Sequence, residues 1–222
     1  FGRLIFLFEI LLAVIVIIFS YLFTRKKQLV SLKEDLKKII YIGVLSVFVI
    51  FFWVGFEQAG GSLTLFANNS VDRNFLGFII PASFFQSINP LIIILIGPMI
   101  ASFWLRVDRS KNNINTPQKM GLGLLLLAGG FFLITLVNNA SDTSISLWWL
   151  VGVYFLHTLG ELCLSPIGLS MVSKVSPKKI ASLMMGFWFL SSAVANFTAG
   201  KLPGILQSNN IDLFTFLTFT FI

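Results

Sequence analysis

Long apolar runs, separated by short polar connections, dominate this sequence and restrict the folds open to it. The sequence contains six complete runs and begins a seventh, and a helix needs about 20 apolar residues to cross a bilayer. The runs cover residues 4–23, 39–67, 75–105, 120–137, 147–172, 180–200 and 213 onward. They are continuous and lack residue-by-residue alternation, so they predict membrane-spanning helices and not the strands of a β-barrel. Only 11% of the 222 residues are charged, whereas a soluble domain has about a quarter. We therefore expect an all-α membrane protein.

Basic residues indicate which connections face the cytoplasm. Thirteen of the sixteen Lys and Arg residues lie in three alternate connections, within residues 24–38, 106–119 and 173–179. The positive-inside rule places these loops in the cytoplasm, so we expect a multi-pass protein of the cytoplasmic (inner) cell membrane. Contact with anionic lipid headgroups explains the net charge of +7, and we expect no nucleic-acid partner. Since the chain opens on Phe1 and ends inside an apolar run, we also expect a longer parent protein.

The common motifs of soluble enzymes are absent from the sequence. It contains no phosphate-binding loop, no His-Glu-x-x-His and no Gly-x-Ser-x-Gly, which are the motifs of nucleotide, zinc and serine-hydrolase sites. With one histidine and one cysteine, the chain is a poor candidate for a metal site and cannot form an intrachain disulfide. We predict a protein that is not an enzyme and has no metal and no cofactor.

Three carboxyl groups lie inside the apolar runs, at Glu9, Glu57 and Glu161. Even on the lenient insertion scale an acid at the centre of a membrane helix costs about 3 kcal/mol, so each one needs an explanation. Glu9 lies one turn into its run, where contact with the interface or a neighbouring helix explains it.

Glu57 shares a helical face with Trp53 and with Gly60 or Gly61. An indole, an acid and glycines leave room beside the helix for a ligand or for another helix. Poor solvation disfavours the charged form of a carboxyl group, so Glu57 is a candidate to bind a proton. The alternative is a structural hydrogen bond between helices, with the glycines serving close packing.

Glu161 forms a polar stripe with His157 and Ser165, at spacings of four residues. Pro166 cannot donate to the carbonyl of Leu162, so we expect the helix to kink or loosen there. A carbonyl freed beside an acid could hold a cationic amine, and His157 and Ser165 are possible auxiliary residues. The alternatives are a kink that serves packing alone and a histidine that only donates a hydrogen bond to another helix.

Two other runs have polar faces. Asn89 lies beside Pro90 in the third run, and its amide can both donate and accept hydrogen bonds. The sixth run carries Trp188 and Ser191 on a face of small and polar residues. Four spans with polar, kink-prone faces are what half of an alternating-access transporter needs.

Four motifs in order give the sequence a family resemblance. They are Phe52-Trp53-x-x-Phe56-Glu57-Gln58, Asn89-Pro90, Gly160-Glu161-Leu-x-Leu-Ser165-Pro166-x-Gly168 and Met185-Gly-x-Trp188-Phe189-Leu190-Ser191. Together they resemble the proton-dependent oligopeptide transporter (POT/PTR) family of the major facilitator superfamily. The resemblance implies that residues 39–222 are the C-terminal six-helix bundle, helices seven to twelve with the last one truncated. Residues 1–38 would be an extra transmembrane helix followed by a basic cytoplasmic linker.

The same resemblance implies symport of di- and tripeptides with protons by alternating access. Glu57 would take up the coupling proton, and Asn89 and Glu161 would receive the amino terminus of the peptide. Further substrate-binding residues by this resemblance are Trp53, Trp188 and Ser191. The partners would be the lipid bilayer and the N-terminal half of the same transporter.

Two alternatives to peptide symport remain. The same scaffold could carry another solute such as nitrate, or the chain could be a non-transporting membrane subunit whose polar faces bind partner helices. A channel is disfavoured, because the sequence offers no ring of carbonyls or acids.

Overall fold

The computed structural model describes residues 32–110, 114–140 and 144–221. Ile39–Ile222 form one compact unit and Phe1–Lys38 another. Only residues 32–38 of the latter are described, so the predicted first span and Glu9 lie outside the described residues.

The described residues are mostly helical. Their α-helices are α1 (Leu32–Phe56), α2 (Ser62–Ser70), α3 (Ile88–Arg109), α4 (Thr116–Ala140), α5 (Leu147–Val175), α6 (Ala181–Ser208) and α7 (Leu213–Phe221). Three short 3-10 helices cover Glu57–Gly60, Ala82–Ser87 and Lys178–Ile180. Two-residue strands cover Val71–Asp72 (β1), Asn74–Phe75 (β2), Phe78–Ile79 (β3) and Ile145–Ser146 (β4).

Five stretches of the described residues are long and apolar enough to cross a membrane. They are Glu34–Ser70, Ala82–Arg109, Thr116–Asn139, Leu147–Val175 and Lys178–Ser208. Each overlaps one predicted run, which confirms a helical membrane protein, and α7 covers the start of the seventh run.

The predicted beginning of the third span at Phe75 is wrong. Residues 74–79 form an antiparallel hairpin in which Phe75 pairs with Phe78, and the helical stretch begins only at Ala82. Leu76 and Gly77 form the turn with φ values of 52° and 85°, the left-handed conformations typical of a tight hairpin and incompatible with a helix. The apolar composition of this hairpin resembles that of a membrane helix, so composition alone placed the boundary too early.

The predicted span over residues 39–67 is interrupted at its acid. The α-helix ends at Phe56 and is followed by the 3-10 turn Glu57–Gly60 before α2 begins. The backbone N–H of Gly61 donates to Gln58 O at 3.2 Å, an i to i−3 bond. Two adjacent glycines weaken the α-helix at this point, because each costs about 1 kcal/mol relative to alanine. The break therefore lies at Glu57, one of the three acids in the apolar runs.

Prolines do not end the last two long helices. The sixth span was predicted to end at Gly200, with Lys201 in a connection, but α6 continues through Pro203 to Ser208 and includes Lys201. Likewise, α5 is helical through Pro166, and the kink expected there stays a prediction. A proline in a membrane helix is tolerated when neighbouring groups satisfy the carbonyl that it leaves without a partner.

Close packing between α4 and α5 forms the centre of the bundle. A Cβ atom added to Gly160 would lie 2.7 Å from the carbonyl oxygen of Gly123, so the two backbones touch. The parallel pairing of Val71 with Ile145 brings the second and fourth connections together at one end. The cavity described next lies between α1, α3 and α5, beside the break after Phe56.

Candidate functional site

A cavity of about 200 Å³ lies beside the break between α1 and α2. Three segments supply its lining: the end of α1 with the following 3-10 turn, the start of α3 with the turn before it, and α5. The lining residues are Phe56, Glu57, Ala59, Gly60, Gln86, Asn89, Tyr154, His157 and Thr158. Aromatic and polar side chains thus surround a single acid, and that acid, Glu57, is exposed.

Asn89 connects the cavity to the second acid. Its Nδ2 donates to Glu161 Oε2 at 2.8 Å and to Thr158 Oγ1 at 3.2 Å. The amide nitrogen has to face the carboxylate, because an ionised carboxylate can only accept hydrogen bonds. A charge-assisted bond of this length holds Glu161 in a fixed orientation, and Glu161 is half-buried.

The two acids, Glu57 and Glu161, interact electrostatically. Glu57 and Glu161 are close enough for their charges to repel, and none of the described lining residues is a Lys or Arg. The described residues also contain no group of three or more His, Cys, Asp or Glu side chains placed to hold a metal ion. Such a site favours a ligand that brings a positive charge or a proton.

Side chains from other segments brace the backbone break at Glu57. The carbonyl oxygen of Ala59 accepts from Thr64 Oγ1 at 2.8 Å and from the hydroxyl of Tyr154 at 3.3 Å. Gln86 Nε2 in turn donates to Thr64 Oγ1 at 3.0 Å. Breaking a helix exposes carbonyl groups that must be satisfied in a membrane, and here Thr64 and the lining residue Tyr154 satisfy the Ala59 carbonyl.

His157 lines the cavity but is only 2% exposed. Its ring packs on that of Phe131 with centroids 4.7 Å apart, and a Cβ atom on Gly130 would collide with it. Within the described ranges neither ring nitrogen makes a hydrogen bond of standard geometry, although the backbone of Leu127 is a polar neighbour. The histidine is therefore held by packing.

Three of the predicted site residues, Glu57, Asn89 and His157, line the cavity, and Glu161 is hydrogen-bonded to one of them, Asn89. The other predicted residues lie apart from the lining. Trp53 packs edge-on against Phe52 and Phe56, with centroids 5.7 and 5.2 Å apart. Trp188 is buried, with its indole in the notch left by Gly168.

Two serines from the prediction are likewise absent from the cavity lining. Ser191 is buried, and its Oγ donates to Phe187 O at 3.5 Å. Ser165 has a buried Oγ for which the described residues provide no hydrogen-bond partner. The structure thus brings together Glu57, Asn89, Glu161 and His157.

Tyr154 and Thr158 are site residues that the sequence reasoning missed. They precede Glu161 by seven and three residues, so they lie on the same helical face as the acid. This spacing could have identified both residues, but the predicted polar stripe included only His157, Glu161 and Ser165. Gln58 was likewise not predicted as a functional residue, although a second polar residue beside an intramembrane acid needs its own hydrogen-bond partner.

Known proteins are similar to this chain over almost its whole length. A family model described as the POT family matches residues 6–216. The chain is 35% identical over 208 residues to peptide transporter YePEPT of Yersinia enterocolitica, covering 92% of this chain and 40% of that protein. It is 33% identical over 172 residues to dipeptide and tripeptide permease A of Escherichia coli, covering 77% of this chain and 34% of that protein.

A solved structure has the same fold. The crystal structure of a peptide transporter POT, a glutamate-to-glutamine mutant in complex with alafosfalin, matches with a TM-score of 0.80 at 30% identity, covering 96% of this chain and 43% of that one. The chain therefore spans 34–43% of the length of these three relatives. The motifs, the helical fold and the family match over residues 6–216 agree, and the chain belongs to the POT family.

Proposed function

We propose that this chain is part of a secondary active transporter that moves di- and tripeptides across the cytoplasmic membrane together with protons, by alternating access. The observation that carries the proposal is the cavity lined by Glu57 and Asn89, together with the 2.8 Å hydrogen bond by which Asn89 holds the second acid, Glu161. The names of the relatives, a peptide transporter and a dipeptide and tripeptide permease, support the substrate class.

In this proposal Glu161 and Asn89 bind the amino terminus of the peptide. Glu161 is half-buried and held by Asn89, so its carboxylate is oriented before the ligand arrives. The α-ammonium group of a peptide supplies the positive charge that the described lining lacks. The amide oxygen of Asn89 offers an acceptor for the same group. Groups that bind the peptide carboxylate then belong to the N-terminal half of the transporter.

Glu57 takes up the coupling proton in this mechanism. Two neighbouring carboxylates repel strongly where the dielectric constant is low. An ammonium group beside Glu161 and a proton on Glu57 together neutralise both acids, so the fully loaded site can close and exclude water. Loss of the proton to the cytoplasm restores a charge that a closed, dry site disfavours. Such a difference in stability between two states is what couples proton flow to peptide movement.

The basic loops indicate how the chain is oriented in the membrane. With residues 24–38, 106–119 and 173–179 in the cytoplasm, the paired strands β1 and β4 lie on the opposite side of the membrane. The break at Glu57 then lies in the outer half of its span, on the side from which the proton enters.

The test is dialanine uptake into liposomes that contain the full-length parent protein, with and without an inward proton gradient. We expect accumulation only with the gradient. Glu161→Gln should weaken dialanine binding by about tenfold or more, because a charge-assisted bond to the ammonium is lost. The exposed Glu34 provides a control, and Glu34→Gln should bind dialanine like the parent.

Two results would contradict the proposal. A well-folded parent protein that takes up no dialanine would shift the substrate to another solute, such as nitrate, or favour a non-transporting subunit. Unchanged dialanine affinity in Glu161→Gln would remove Glu161 from the amine site.

A further inference from the structure

Gln58, the residue after the proposed proton-binding acid, is 1% exposed and does not line the cavity. Its Nε2 donates to Val54 O at 3.1 Å and to Ala199 O at 3.2 Å, and its Oε1 accepts from Ser62 Oγ at 2.8 Å. The orientation of the amide is fixed by chemistry, because both carbonyls can only accept hydrogen bonds. Both N–H groups of the amide are therefore used, one for a hydrogen bond to α1 and one for a hydrogen bond to α6.

The acceptor on α6 is a particular carbonyl. In an α-helix the oxygen of Ala199 would accept from the backbone nitrogen of residue 203, and that residue is Pro203. Proline has no N–H, and its ring pushes away the carbonyl four residues earlier. Gln58 Nε2 thus takes the place of the missing donor.

We propose that Gln58 is a positioning residue for Glu57, acting through a side-chain bridge from the 3-10 turn Glu57–Gly60 to the carbonyl that Pro203 leaves without a partner in α6. This inference rests on the proposed function, in which Glu57 binds the coupling proton. The bridge holds the turn that presents the Glu57 side chain at the edge of the cavity. It also ties that turn to the helix that carries Trp188 and Ser191.

The bridge makes the turn after α1 and the helix α6 mechanically dependent on each other. The turn after α1 can move away from α6 only if the bond to Ala199 breaks, and the Ala199 carbonyl then loses its donor in a low-dielectric environment. A change of state at Glu57 that shifts the turn is therefore transmitted to α6. Substitution of Gln58 should affect proton coupling more than peptide binding, because Asn89 and Glu161 are held by bonds of their own.

The experiment compares Gln58→Leu, Pro203→Ala and the double variant in the full-length protein. Thermal unfolding and two dialanine assays, gradient-driven accumulation and gradient-free exchange, are measured for each. Gln58→Leu should lower the Tm by about 3 °C, as expected for a buried acceptor left without its hydrogen bond. It should reduce accumulation by about tenfold and leave exchange near that of the parent.

Pro203→Ala separates two effects of the bond: the donor that it supplies to Ala199 O and the connection that it makes between the turn and α6. Alanine supplies the backbone N–H that Ala199 O lacks, so the double variant should recover at least half of the Tm lost in Gln58→Leu. Accumulation should stay low in the double variant, because the turn is still not tied to α6. Pro98→Ala is the matched control: Pro98 lies inside α3, and the carbonyl that it leaves without a partner is not bonded to Gln58. When Pro98→Ala is combined with Gln58→Leu, it should recover none of the Tm lost in Gln58→Leu.

Several results would overturn the inference. Accumulation at the parent level in Gln58→Leu would exclude a positioning role, and loss of exchange together with accumulation would indicate a general structural role. Equal Tm recovery by Pro98→Ala and Pro203→Ala would exclude Ala199 O as the partner. If the parent itself shows no gradient-driven uptake, the proposed function fails, and the Tm comparison alone decides for or against the bridge.

Discussion

At the scale of single residues, the cost of burying charge was the most informative signal. Glu57 and Glu161 stand out in the sequence because few acids occur in apolar runs. In the structure their charges interact, and Asn89, which lines the cavity with Glu57, is hydrogen-bonded to Glu161. Trp188 was assigned to the site by the family resemblance alone, and its indole packs into the notch at Gly168, apart from the cavity lining. Periodicity shows that residues share a face of one helix, but not which neighbouring helix that face meets. The partners of Gln58 were hidden for the same reason, because Ala199 is 141 positions away along the chain.

Gly130 provides a stability prediction at this scale. A Cβ atom at position 130 would collide with the His157 ring, which packs on Phe131 and is 2% exposed. Gly130→Ala should therefore lower the free energy of unfolding by about 1–3 kcal/mol, the usual cost of overpacking. Thermal unfolding of the purified full-length protein measures this. Gly152→Ala is the control, since no atom lies within 4 Å of its added Cβ, and equal effects of the two substitutions would contradict the prediction.

At the scale of secondary-structure elements, apolar length predicted the helices well and their ends poorly. Five predicted runs correspond to helical stretches of membrane-spanning length. The structure departs from the predicted runs where local conformation overrides composition, at the apolar hairpin with Leu76-Gly77 in its turn and at the break before Gly61. In both places a glycine was visible in the sequence. The extension of α6 past Pro203 could not be foreseen, since the carbonyl that Pro203 leaves without a partner is satisfied by Gln58, from the 3-10 turn Glu57–Gly60.

The junction between α3 and α4 provides an element-scale prediction. The ammonium of Lys119 pairs with Asp108 and lies 5.0 Å from the ring centroid of Trp104. The Lys119 side chain is 7% exposed and that of Asp108 is 46% exposed. Removing the acid therefore leaves a buried cation without its counter-charge, whereas removing the lysine leaves an acid that water can still solvate.

We accordingly expect Asp108→Asn to destabilise the protein more than Lys119→Met does. The loss for Asp108→Asn should be on the order of 3 kcal/mol, as for other buried charges that lose a partner, and the loss for Lys119→Met about 1 kcal/mol or less. Chemical or thermal unfolding of the two variants side by side measures the difference. The reverse order would show that the Asp108 carboxylate, and not the Lys119 ammonium, bears the cost of burial.

At the scale of the whole molecule, charge distribution and motif order were sufficient to predict the class of protein. The pairing of β1 with β4 brings the second and fourth connections together, in agreement with the alternation of basic loops in the sequence. The chain covers 40% of its relative from Yersinia enterocolitica. A site with two acids and no described Lys or Arg in its lining is electrically unbalanced until a cation, a proton or another part of the transporter completes it.

The central claim is that Glu57 couples proton flow to peptide movement, and one measurement tests it most directly. Dialanine transport is followed in liposomes that contain either the full-length parent or Glu57→Gln, once as gradient-driven accumulation and once as exchange without a gradient. Glutamine is neutral at any pH and mimics the protonated acid, so the variant should exchange dialanine at a rate near that of the parent and accumulate none against its gradient. Accumulation by Glu57→Gln that still follows the proton gradient would contradict the claim.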